Sequence, residues 1–145
     1  MLQIRPVTRE NLDEVLTLRV HESQRAFVST TAESLAEAYV YGDTAFPFAV
    51  YDDETIIGFI MMGYYEAKDY YTLWKLLIDE KYQGRGYGRR ALEQGLLFLK
   101  ERFNVSTVYT GVAPGNTVAK SLYLSMGFVE TGIFENNMEE LRKGE

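Results

Sequence analysis

Tyr70-Tyr71-Thr72-Leu73-Trp74-Lys75-Leu76-Leu77-Ile78, then Asp79-Glu80-Lys81-Tyr82, then Gln83-Gly84-Arg85-Gly86-Tyr87-Gly88-Arg89-Arg90 is the stretch whose reading decides the fold. The first run is long enough for a central strand and stops at Asp79-Glu80-Lys81. A helix follows over roughly 86–101, with Leu92, Leu96, Leu99 and Phe103 as its buried stripe. Between strand and helix lies a glycine turn. Successive N–H groups of such a turn, together with the unpaired donors of a helix start, form a concave anion site. Glycine permits the dihedrals and the close approach that this needs. Arg85, Arg89 and Arg90 crowd a helix end where cations are disfavoured, which points to a polyanion that offsets them. A diphosphate fits. A Walker loop, Gly-x-x-x-x-Gly-Lys-Ser/Thr, is absent, and so is Gly-x-Gly-x-x-Gly with its distant acidic residue.

Upstream, Phe48-Ala49-Val50-Tyr51 and Ile56 to Met62 read as a hairpin across the polar turn Asp52-Asp53-Glu54. Residues 2–6 read as a first strand. Pro6 and Thr8 announce a helix with Leu12, Val15, Leu16 and Leu18 at helical spacing. A second helix spans roughly 31–41, opened by a capping arrangement of Thr30 or Thr31 with Glu33, and carries Leu35, Ala38 and Tyr39 along one side. Glu22 to Val28, between the helices, has no clean period and is a candidate for a loop that does chemistry or gates it. Downstream come a strand at Thr107–Thr110, a loop at Val112–Gly115, a helix over 116–126 closed by Gly127, and strands near Phe128-Val129 and Met138–Leu141. Beyond Leu141 a frayed tail reaches Glu145. No repeat or linker interrupts this order, which implies one mixed α+β domain over residues 1–145 around one sheet.

With 145 residues and 46% hydrophobic content the chain can bury a real core. A net charge of -6 argues against nucleic acid as a partner and tolerates cationic substrates. With no cysteine, thiolate catalysis and disulfides are excluded, and one histidine builds no zinc site, so no metal is expected. His21 reads as a surface or packing residue. No targeting pattern opens the sequence and no run approaches the length of a membrane span, so the expectation is a cytoplasmic protein without membrane contact. Most of the 11 tyrosines and 8 phenylalanines read as core.

Gln83-x-x-Gly86-x-Gly88 after an apolar strand is similar to the diphosphate-binding motif of the GNAT superfamily of N-acetyltransferases. Asn116-Thr117-Val118-Ala119-Lys120-Ser121-Leu122-Tyr123-Leu124-Ser125-Met126-Gly127-Phe128 resembles that superfamily's Asn-x-x-Ala-x-x-Leu-Tyr-x-x-x-Gly-Phe segment. Read without the family, Asn116 is a helix cap and Tyr123 a core aromatic. The resemblance covers essentially the whole chain and implies a mixed, mostly antiparallel sheet of about seven strands flanked by about four helices. It implies acetyl-CoA as cosubstrate, held by Gln83, Gly84, Arg85, Gly86, Tyr87, Gly88, Arg89, Asn116 and Tyr123. Backbone groups of Leu76, Leu77 and Ile78 would pair with pantetheine where the strand splays from its neighbour, and one amide would polarise the thioester carbonyl. Tyr123 would protonate the departing CoA thiolate. Without a cysteine nucleophile, direct attack by the amine in a ternary complex is favoured.

Some family members carry a carboxylate base on the strand before the turn, where this chain has Thr72, Trp74 and Leu76. Glu66 and Asp69, just upstream, are the candidates, reached through an ordered water. Val20 to Val28, Ser34 to Ala38 and Tyr71 to Gly84 look like the corresponding segments of bacterial spermine/spermidine (diamine) acetyltransferases. A small amine such as spermidine or spermine is then the expected acceptor, met by Glu22, Glu33, Glu37, Tyr71 and Trp74. A homodimer is the protein partner that the resemblance admits. Acetylation of another amine (an aminoglycoside, an amino acid or a protein amino terminus) and a non-enzymatic acyl-CoA-binding module are the competing readings; fold alone would not establish function.

Overall fold

The computed structural model describes residues 1–144, so Glu145 at the end of the expected tail lies outside the described residues. Seven strands form one sheet: β1 (Leu2–Pro6), β2 (Ala45–Asp52), β3 (Thr55–Tyr65), β4 (Tyr70–Ile78), β5 (Val108–Val112), β6 (Val129–Glu135) and β7 (Met138–Lys143). The helices are α1 (Leu12–Leu16), α2 (Thr31–Val40), α3 (Tyr87–Phe103) and α4 (Thr117–Ser125), with single 3-10 turns at Glu22–Gln24 and Glu80–Tyr82. The spatial order is β1-β2-β3-β4-β5-β7-β6, and every neighbouring pair is antiparallel except β4–β5. A parallel pair needs a crossover, and α3 supplies it. This is the mixed sheet and helix count that the sequence implied. No helix among the described residues is long and apolar enough to cross a membrane.

β3 is buried on both faces from Ile56 to Met62, which is why it reads as an unbroken apolar run rather than an alternating one. On one face α3 and α4 cover a core containing Ile60, Met62, Leu92, Leu99 and Phe128. α3 presses close enough that a Cβ on Gly95 would stand 2.7 Å from the Met62 sulfur. The other face holds a smaller core of Val15, Leu18, Phe59, Met61 and Leu77. β2 starts earlier than its apolar run, at Ala45, and tolerates Pro47 because the β1 pairing ends at Pro6–Phe48, leaving no partner for the missing N–H.

The cap read at Thr30 is a full capping box: Glu33 N–H donates to Thr30 Oγ1 at 3.1 Å and Thr30 N–H to Glu33 Oε1 at 2.9 Å. Tyr39, expected on the inward side of α2, is 89% exposed; the helix buries Thr31 and Ser34 instead, with Leu35 and Ala38 beside them. Leu12 and Leu16 likewise stand outside while Val15 and Leu18 go in, because α1 is too short to press a full stripe on the sheet. Gly127 closes α4 at φ 97°, with Phe128 N–H returning to the Tyr123 carbonyl at 3.1 Å.

One irregularity positions the site. Met61 pairs with Lys75 but Met62 pairs with Leu73, so Trp74 is an extra residue, a bulge, on β4. Side-chain alternation flips there: Leu73, Leu76 and Ile78 join the α3 side, Trp74 and Leu77 the other. β5 pairs with β4 only at Tyr71–Val108, Thr72–Tyr109 and Leu73–Thr110. A bulged strand bends, and past Leu73 the two strands part.

Candidate active site

A cleft of about 480 Å³ opens where β4 and β5 separate. Its walls come from both faces of the sheet, Ala119, Leu122 and Tyr123 of α4 on one and Phe27, Val28, Ser29 and Trp74 on the other. Leu76, Leu77 and Ile78 all line it. Asp79 N–H donates to the Ile57 carbonyl of β3 at 2.9 Å, so backbone alternation turns Leu77 toward β3 as well. The groups facing the gap are those of Leu76 and Ile78, and the Ile78 carbonyl already accepts from Gln83 Nε2 at 2.8 Å. Gln83 Nε2 also donates to Gln24 Oε1 at 3.0 Å, tying the turn to the loop before α2.

Gly84 and Gly86 stand at φ 79° and 80°, and a Cβ on either would meet nothing within 4 Å. Glycine is required there by the dihedral rather than by space. Gly86 is the N-cap of α3 and no side chain caps the helix. The first bond of that turn runs from Arg90 N–H to the Gly86 carbonyl at 3.3 Å, so the donors of Tyr87, Gly88 and Arg89 have no protein acceptor among the described residues. Gly84, Gly86, Tyr87, Gly88 and Arg89 line the cleft beside these donors. A cradle of free N–H groups opening into an elongated, largely apolar cleft fits a diphosphate carrying a flexible thioester arm, which is the shape and chemistry of acetyl-CoA.

The three arginines are placed differently. Arg85 does not line the cleft; it reaches the Lys81 carbonyl at 3.5 Å and lies over the Tyr82 ring. Arg90 lies over the Tyr87 ring, and Arg89 donates to Ser125 Oγ at 2.8 Å. Each cation has a neutral protein neighbour, and Arg89 is the one of the three that lines the cleft. Tyr87 contributes its backbone, since its hydroxyl donates to Asp52 Oδ2 at 2.7 Å. That bond holds the Asp52 carboxyl below its ordinary range and the Tyr87 phenol above its own.

Tyr123 is buried, lines the cleft and packs on Phe128. Burial pushes its phenol up to about 12, and the nearby Thr110 hydroxyl opposes that rise. Asn116 caps α4 through a 3.4 Å bond from Ala119 N–H and also lines the cleft. The cap and cleft readings therefore coincide.

The expected acidic groups are elsewhere. Glu66 and Asp69 sit in the β3–β4 turn, outside the cleft; Asp69 takes positive φ there and accepts from the Tyr64 hydroxyl. The β4–β5 pairing ends at Leu73–Thr110, which places the gap along Trp74–Ile78, at the far end of the strand from that turn. Glu33 is consumed by the capping box, which also lowers its carboxyl. Tyr71 faces α3, against Tyr64 and Phe103. Glu22 is exposed and does not line the cleft. Glu37 pairs with Lys75 at 3.0 Å beside the cleft, and Trp74 lines it with Tyr41 edge-on at 5.7 Å. His21 is exposed, 3.9 Å from Glu80.

Gln24, Phe27, Ser29 and Lys75 belong to the cleft wall but were not singled out from the sequence. The signal for the first two was the aperiodic loop between the helices. Phe27 packs near Gly115 across the opening, where a Cβ on Gly115 would stand 3.6 Å from the ring. Among the described residues lining the cleft there is no carboxylate and no histidine.

The model of the acetyltransferase (GNAT) family matches residues 11–128. The spermine/spermidine N(1)-acetyltransferase of Bacillus subtilis is 28% identical over 97% of this chain and 95% of its own. The ribosomal protein bS18-alanine N-acetyltransferase of Escherichia coli is 38% identical over 45% of this chain and 43% of its own. The crystal structure of spermidine N-acetyltransferase from Vibrio cholerae with CoA and spermine superposes with a TM-score of 0.72 at 20% identity, covering 97% of this chain and 92% of that one.

Proposed function

This chain belongs to the GNAT acetyltransferase family, and from that premise we propose that it acetylates a primary amine of a polyamine such as spermidine or spermine by direct attack in a ternary complex. Family membership makes it an acetyl-CoA-dependent N-acetyltransferase; acetyl-CoA supplies an activated acyl group. The rest of the reading concerns what the chain's own residues do.

The observation that carries the mechanism is the parting of β4 from β5. It leaves the backbone of Leu76 facing the gap and lets one cleft reach both sides of the sheet. The free donors of Tyr87, Gly88 and Arg89 take the diphosphate, with Gln83 bracing the turn. The Leu76 amide polarises the thioester carbonyl, and Tyr123 donates to the departing sulfur. A phenol raised to about 12 remains protonated throughout the physiological range. The same burial raises the thiolate's affinity for a proton, which narrows the gap between donor and acceptor. With no carboxylate or histidine lining the cleft, the amine loses its proton to water before it attacks.

The amine arrives on the α2 side, along Phe27 and Trp74, whose rings suit methylene chains and ammonium groups. What supports a polyamine is the full-length likeness to the Bacillus subtilis enzyme and the net charge of -6. One acetyltransferase domain over residues 1–145, a cytoplasmic location and a homodimer belong to the same reading.

The test is an amine panel with thiol release as readout: spermidine, spermine, monoamines, amino acids, aminoglycosides and a peptide with a free amino-terminal alanine. Saturable release with spermidine or spermine supports the reading. Turnover confined to the peptide or another amine replaces the acceptor, and acetyl-CoA binding without any turnover removes the activity.

A further inference from the structure

Lys75 is the only lysine among the described residues lining the cleft. The bulge at Trp74 turns it to the α2 side, where its ammonium stands 2.7 Å from Ser29 Oγ and 3.0 Å from Glu37 Oε1. Its side chain is 17% exposed and that of Glu37 is 40% exposed. An acceptor amine approaching from this side therefore meets an ammonium of its own kind, already seated on the Glu37 carboxylate. The pair is close to neutral. Removing the lysine charge would leave the Glu37 carboxylate facing the space that Lys75 vacates, and each further ammonium on an acceptor would then gain from it.

We propose that Lys75 is a specificity-determining residue: by occupying Glu37 it limits how strongly the cleft prefers acceptors of higher positive charge. The inference rests on the reading above that amines enter on the α2 side. It does not require Lys75 to take part in the chemistry.

The test measures binding of butylamine, spermidine and spermine to the CoA-loaded protein by calorimetry, in wild type, Lys75→Met, Lys75→Arg, Glu37→Gln and the double variant Lys75→Met/Glu37→Gln. In Lys75→Met the spermine-to-butylamine affinity ratio should rise roughly fivefold, the upper range for a half-exposed ion pair. That gain should shrink at about 0.5 M salt, where screening lengths fall to a few ångströms. Lys75→Arg keeps the ion pair and should keep the wild-type ratio; Glu37→Gln should lower it; the double variant should return it to the wild-type value. A merely structural lysine would change affinity for all three amines alike. An unchanged ratio in Lys75→Met, a gain that survives in the double variant, or loss of all amine binding in Lys75→Met overturns the proposal. Wild-type protein that binds amines but transfers no acetyl group sinks the functional reading, while the ratios still decide the role of Lys75.

Discussion

Thr110 Oγ1 donates to the Leu73 carbonyl at 3.0 Å on the last rung where β4 and β5 pair. The same hydroxyl, 4% exposed, lies close enough to the Tyr123 phenol to oppose its rise. One side chain thus closes the sheet where it begins to open and stands beside the residue read as the acid.

Thr110→Val keeps the shape and removes both the bond to Leu73 and the hydroxyl beside Tyr123. The Leu73 carbonyl keeps the Thr72 hydroxyl at 3.1 Å, so the loss is that of one hydrogen bond, about 0.5–1.5 kcal/mol, read as a lower urea midpoint with unchanged slope. We expect kcat to fall by roughly tenfold with little change in acetyl-CoA affinity, and Thr110→Ser to recover most of both. Equal loss in the serine and valine variants would mean that packing, not the hydroxyl, matters.

Tyr123→Phe removes the proposed donor without changing the packing on Phe128. Turnover should drop by about a hundredfold or more, the usual worth of a positioned acid, while calorimetry finds acetyl-CoA binding nearly intact. A variant retaining half of wild-type kcat would exclude the phenol from the chemistry.

The pH dependence of kcat/KM separates water from a side chain as proton acceptor. With the Tyr123 phenol near 12, the donor stays protonated as pH rises from 6 to 9, so it imposes no falling limb there. The rate should climb through this range with the fraction of free amine. A rising limb that stays fixed when amines of different basicity are compared would instead reveal an enzymic base.

Gly86→Ala tests the turn. At φ 80° with open space around the Cβ, the alanine is penalised only by its dihedral, about 1–2 kcal/mol. Stability should fall by that order and acetyl-CoA affinity should fall with it, because the donors of α3 are re-aimed. Asparagine tolerates this conformation better and should recover part of the loss.

Asp52 and Tyr87 give a stability signature. The Tyr87 hydroxyl lowers the Asp52 carboxyl relative to the unfolded chain, so the bond stabilises above the unfolded value and is lost as pH falls through the folded one. Tyr87→Phe should lower the melting temperature near neutrality and converge with wild type in acid. A constant difference down to pH 2 would contradict the linkage.

The order strand, glycine turn, helix was legible because each part carries a local signal: apolar length, three glycines, a stripe at Leu92, Leu96 and Leu99. The Thr30 cap and the Gly127 stop were legible for the same reason. Glu33 completes the capping box, and spacing alone does not choose between a carboxylate that caps a helix and one that meets a ligand. Glu66 and Asp69 seemed near the chemistry only along the chain. Tyr39 shares a side of α2 with Leu35 and Ala38 by helical phase, yet it is 89% exposed, because phase does not say how wide a face the rest of the fold covers.

By itself the sequence determined the sheet's contents, the glycine turn before α3, and the family, since these depend on residues close together in the chain. The tertiary structure decided where the cleft opens and what faces it. An extra residue at Trp74 is invisible until β3 supplies the register against which it is extra. That one-residue slip inverts the alternation along β4 and turns Leu76 to the gap and Lys75 toward Glu37.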